Sequence, residues 1–178
     1  LDTAARLFYA RGVHEVGMDE LVRETGLGKA TVYRLFPTKD ALVAAYLHRL
    51  AETISAAIDD EKARHAADPA GALLAVIAAI EADLHRPDFR GCPFNNASIE
   101  FDDPDHPART EARSYRRMLL DQLTALARAL DPKQGTALAS TLAVLVDGAY
   151  TNAAHLGPDG PAAIGLAHAR QLIEDARP

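Results

Sequence analysis

Lys29, Thr31, Tyr33 and Arg34 lie close together, Lys39 follows, and no acidic residue occurs between Gly26 and Thr38. Such a set suits an anionic polymer. Lys and Arg donate to phosphate or to guanine edges, Thr bonds phosphate or base, and the small Ala30 permits close approach. The same composition also describes an ordinary solvated helix face, because surface cations are common. Spacing alone leaves both readings open.

Other chemistries have less to work with. The paired Glu-x-x-His motifs of helical carboxylate–metal enzymes do not occur. Cys92, with His85 and His106 nearby, forms no Ser/His/Asp or Cys/His set of distinctive spacing. The expectation is that the protein is not an enzyme and needs no cofactor. The stretch from Cys92 to His106 also holds Glu100, Asp102, Asp103 and Asp105, the raw material of a metal sensor. Without His-x-x-x-His or Cys-x-x-Cys spacing it reads better as an acidic loop.

The elements that would carry the basic cluster are helical. Ala, Leu, Glu and Arg dominate, no segment keeps a period of two, and breakers recur at Gly12, Gly26, Pro37, Pro69, Pro87, Pro104, Pro132 and Pro158. Helices are expected over 2–11, 18–25, 29–36, 39–66, 70–85, 94–101, 108–130, 132–156 and 161–176. Gly26 would take a left-handed turn, Leu27 would plug the corner between two short helices, and Thr38 would cap the fourth. That fourth helix would be about 40 Å long, more than a fifty-residue domain needs. It therefore reads as a rod joining two parts, 1–47 and 48–178.

The charge follows this division. The chain is net −6, yet its first fifty residues carry seven basic against six acidic side chains, and the remainder twelve against nineteen. A small basic surface on an acidic body still binds phosphate, since charges are screened over about 8 Å. The longest apolar run, Gly71 to Ile80, is too short to cross a bilayer, and no signal segment is present. A lone cysteine rules out an intrachain disulfide and fits the cytoplasm. A chain that begins at Leu1 is expected to have lost its native start.

"LDTAARLFYARG" followed by "MDELVRETGLGKATVYRLFPTKDAL" resembles the DNA-binding domain of the tetracycline-repressor (TetR) family of bacterial transcription regulators. The resemblance covers residues 1 to about 47. It implies an all-α protein of about nine helices. A three-helix helix-turn-helix domain would be joined by a long helix to a C-terminal helical ligand-binding and dimerisation domain. It implies double-stranded operator DNA as a partner, contacted by Lys29, Ala30, Thr31, Tyr33 and Arg34 on the third helix and by Lys39 beyond it. Repression relieved by a small-molecule effector is the family's common habit. Two positions depart from the pattern: Gly17 replaces a capping Ser or Thr, and Val22 replaces a small residue at the helix crossing. The basic arm that usually precedes the first helix is not in this chain.

A single helix-turn-helix reads few base pairs, so a homodimer on a palindrome is expected. The last two helices offer Leu138, Leu142, Leu145 and Ala149, and Leu166, Ala169, Leu172 and Ile173, for the dimer contact; core packing is the alternative use of the same residues. For the effector, apolar walls would come from Phe94, Ile99, Met118, Leu119 and Leu145. Asn95, Tyr115, Gln122 and Asn152 would orient it. Each has a structural alternative, Asn95 as a helix cap among them.

Overall fold

The structure, a computed structural model, describes residues 1–177. Among them every regular element is helical. The nine α-helices are α1 (Asp2–Arg11), α2 (Met18–Thr25), α3 (Lys29–Leu35), α4 (Lys39–Arg64), α5 (Pro69–Leu84), α6 (Pro93–Ser98), α7 (Pro107–Leu130), α8 (Gly135–Leu156) and α9 (Ala163–Asp175). The local stops work as their chemistry requires. Gly12 leaves α1 at φ +91° and Gly26 leaves α2 at φ +66°, both in the region that favours glycine. Thr38 Oγ1 accepts the Ala41 N–H at 3.1 Å and so caps α4. Asp68 caps α5 by accepting the Gly71 N–H at 3.0 Å.

Where boundaries differ from expectation, the reason is local. α8 starts at Gly135 rather than Pro132, because Asp131 Oδ1 accepts the Lys133 and Gln134 N–H groups and closes a turn first. α9 is preceded by a π-helical turn, Pro158–Ala162, which breaks at Gly160.

The chain forms two compact units. The first is Leu1–Glu52 together with Cys92–Tyr115; the second is Thr53–Gly91 together with the chain from Arg116 onward. The first unit is thus larger than residues 1–47, since it recruits α6 and the start of α7. Its core holds Leu7, Phe8, Val13, Val16, Leu21 and Leu47, all buried, with Phe8 and Tyr46 ring centroids 6.1 Å apart. Leu27 does not plug the corner between α2 and α3. It stands 48% exposed, whereas Val13 and Val16, in the connection from α1 to α2, are buried.

In the second unit α5, α8 and α9 pack against one another around Leu73, Ile77, Leu142, Leu166 and Ile173, none more than 1% exposed. Each such side chain contributes about 1.5–3 kcal/mol by leaving water. Ion pairs brace the outside: Arg170 with Glu81 at 2.5 Å, and Arg116 with Asp147.

The residues assigned to a dimer contact divide by burial. Leu142, Ala149, Leu166, Ala169 and Ile173 are buried within one chain, while Leu138, Leu145 and Leu172 are half-buried. The buried ones pack where α5, α8 and α9 meet. The outward stripe carries Val144 and Ile164 instead, 71% and 73% exposed.

At Gly135 the chain turns from α7 into α8 so tightly that a Cβ would overlap the Ala127 carbonyl. Gly135→Ala is therefore expected to cost about 1–3 kcal/mol. Thermal unfolding should show a lowered midpoint, and an unchanged midpoint would contradict this packing.

Candidate nucleic-acid interface

α3 is short because Gly28 opens it and Pro37 forbids its extension. Val32 is its buried anchor; Lys29, Ala30, Tyr33 and Arg34 are exposed and Thr31 is half-buried. Lys29, Ala30, Tyr33 and Arg34 therefore stand outward on α3. Lys29 Nζ lies 5.8 Å from the Tyr33 ring centroid. The first turn of α3 also presents N–H groups with a partial positive charge. Its N-cap, Gly28, offers them no side-chain acceptor.

Two of the six residues are more engaged than their types imply. Lys29 Nζ donates to Asp19 Oδ1, 2.7 Å away on α2, and Asp19 holds that ammonium above the usual lysine range. Lys39 is half-buried and donates to the His14 carbonyl at 3.4 Å. Its burial pushes the ammonium below the usual lysine range, against the opposing pull of Glu100 and Asp40. Arg34 has no acidic partner among the described residues.

The corner between α1 and α2 explains where Lys39 goes. Glu100 Oε1 accepts the Val13 N–H at 2.8 Å. Glu100 Oε2 accepts the His14 N–H at 2.7 Å and lies 2.9 Å from His14 Nδ1. The carboxylate comes so close that a Cβ on Gly12 would stand 3.1 Å from Oε1. Phe101 extends the clamp: its ring is 4.9 Å from that of His14 and stacks on His106 at 3.5 Å. His106 Nε2 in turn lies 3.4 Å from Asp40 Oδ1 at the start of α4. Sequence reasoning missed Glu100 in this role and counted it among possible metal ligands. Glu100 and His106 are engaged with the helix-turn-helix instead. A lone acid 86 residues from its partners leaves no local signal.

The candidate effector residues fall into both units. Phe94 and Tyr115 stack in the first, 3.7 Å apart and parallel within 2°. Asn95 lies inside α6, where its carbonyl accepts the Ile99 N–H at 3.0 Å, and Cys92 occupies the N-cap. Ile99 follows the end of α6 and is 78% exposed. In the second unit Leu119 is buried, and Met118 and Leu145 are half-buried. Asn152 donates to the Gly148 carbonyl of its own helix at 2.8 Å. Gln122 Nε2 donates to Ser55 Oγ at 2.7 Å, and its Oε1 is buried with no protein partner. Turning the amide over moves the orphan to nitrogen without removing it. Among the described residues no helix is long and apolar enough to cross a membrane.

Comparison with known proteins agrees with this geometry. Residues 1–46 match the profile of the bacterial regulatory proteins of the tetR family. A solved TetR-family transcriptional regulator of Streptomyces coelicolor is 32% identical, with 99% of this chain and 93% of that one covered and a TM-score of 0.91. A TetR regulator of Legionella pneumophila, 16% identical, shares the fold over 99% of this chain and 94% of its own, with a TM-score of 0.81. An uncharacterised HTH-type transcriptional regulator of Mycobacterium tuberculosis is 45% identical over 49 residues, which is 28% of this chain and 24% of that protein.

The clamp predicts an order among variants. Glu100→Ala leaves two backbone N–H groups without their acceptor and is expected to cost about 1–3 kcal/mol. Glu100→Gln keeps one acceptor oxygen and should cost less. Urea unfolding midpoints rank the three proteins, and equal midpoints would contradict the clamp.

Proposed function

As a member of the tetR family of bacterial regulatory proteins, this chain is a DNA-binding transcription regulator, and we propose that it represses as a homodimer that a small molecule releases from a palindromic operator. The observation that carries the DNA contact is the outward polar face of α3: Lys29, Ala30, Tyr33 and Arg34 exposed around a single buried anchor, Val32. Arg34 supplies an unpaired guanidinium for guanine or phosphate, Tyr33 and Thr31 supply hydroxyls, and Ala30 leaves room for a base edge. Lys39 supports the corner first and faces phosphate second, because its ammonium is already drawn to His14.

Dimerisation runs through the outward stripe of α8 and α9 rather than the buried one. That stripe combines the exposed Val144 and Ile164 with the small Gly148, beside which a Cβ would meet nothing within 4 Å. Small residues let helices of two chains approach closely, and a two-fold axis makes the contact self-complementary.

Effector binding belongs to the second unit. Gln122 is the reading's best support, since a buried polar atom without a partner costs about 1–3 kcal/mol and a donor on a guest would satisfy it. Met118 and Leu119 lie within about one turn of Gln122 on α7, and Leu145 on α8 is the further apolar candidate. α4 and α7 each run from one unit into the other, so a displacement of either in the second unit is carried by continuous backbone into the first. The guest must favour the conformation that binds DNA less well; otherwise nothing is released.

Two measurements test this. Selection of bound duplexes from a random pool should return a palindrome with half-sites about 34 Å apart or a multiple of that; an asymmetric site or no enrichment would refute the dimeric reading. Val144→Asp with Ile164→Asp should yield a folded monomer in analytical ultracentrifugation and weaken operator binding at least tenfold. A dimer that survives both substitutions would move the interface elsewhere.

A further inference from the structure

Most cations of the helix-turn-helix are already neutralised by its own acids. Arg11 meets Glu20 at 2.6 Å, Arg6 meets Glu24 at 3.6 Å, and Arg49 meets Asp2 at 2.7 Å. Lys29 and Asp19 differ from these pairs in place. Lys29 belongs to the reading face of α3, and Asp19 sits in the first turn of α2, across the Gly26–Gly28 corner. Both side chains are well exposed, so the pair is open to exchange with an incoming anion.

We propose that Asp19 is a specificity-determining residue: its carboxylate occupies Lys29 in place of a nucleic-acid acceptor and thereby suppresses binding to non-cognate duplex. The inference rests on reading α3 as the DNA-contacting helix. A carboxylate oxygen and a phosphate oxygen are equivalent acceptors for an ammonium, each giving a short charge-assisted hydrogen bond. Against a random duplex, exchanging one for the other gains little and leaves Asp19 uncompensated beside the backbone. Lys29 then adds almost nothing to the counterion release that drives non-specific binding. At the operator, the remaining contacts of α3 hold Lys29 against a fixed acceptor, and the exchange is completed. The penalty set by Asp19 therefore falls chiefly on the wrong sites.

The test compares the wild type, Asp19→Asn, Lys29→Ala and the double variant by fluorescence anisotropy. Each is titrated with the selected palindrome and with a random duplex over a range of salt concentrations. Freeing one cation adds one phosphate contact, which steepens the slope of log K against log salt by about 0.9 and raises affinity about 8-fold at 0.1 M salt. Asp19→Asn is expected to show that gain on random duplex. On the palindrome, where only the exposed pair need break, the expected gain is about 2- to 3-fold. Discrimination should thus fall about threefold. In the Lys29→Ala background the same substitution should leave the slope unchanged. Wild-type binding combined with an unaltered Asp19→Asn slope would overturn the proposal. So would an equal gain without Lys29, because Asp19 would then act only as an isolated charge. A wild type that binds neither duplex would overturn the DNA-binding reading of α3, and this inference with it.

Discussion

The reading head of this protein depends on one carboxylate. Glu100 gathers the Val13 and His14 N–H groups and the His14 ring, and these lie in the turn that sets α2, and hence α3, at its angle to α1. A charged acceptor shared among several donors is stronger than a neutral one, and backbone N–H groups cannot move without moving the chain. Lys39 holds the carbonyl of the same turn. The corner is thereby fixed through both its donors and its acceptor, by residues from α4 and from the segment after α6. These residues belong to the two stretches, 1–52 and 92–115, that make up the first compact unit.

What was legible in the sequence was local. The ends of α1, α2 and α4 follow from Gly12, Gly26 and Thr38, each acting on residues within a turn of itself. The outward face of α3 follows from Val32 being the apolar residue its neighbours must bury. What was not legible was tertiary. Leu27 looks like a corner plug by type, yet it stays outside while Val13 and Val16 of the preceding turn are buried. Leu142, Leu166 and Ile173 look like interface residues by spacing. A period of three and four marks a buried stripe without saying whether the burial is within one chain or between two. Glu100 looks like one more acid in an acidic loop, and only the fold brings it to Val13.

The electrostatics follow the same pattern. Counting charges along the chain describes the first fifty residues as mildly basic, whereas the geometry shows most of those cations already spoken for. The free positive character of the face is concentrated in Arg34 and in the opening turn of α3. A reader with so few unspent charges relies on fit rather than on bulk attraction, which suits a regulator that must ignore most of the duplex it meets.

The clamp also limits how such proteins can be recombined. A hybrid joined after residue 47 would import α1, α2 and α3 from one parent while keeping the region after α6 from the other. The imported turn would then meet whatever residue the other parent carries in place of Glu100. The transplantable module is 1–52 with 92–115 carried alongside it, two pieces of chain that must be exchanged as one.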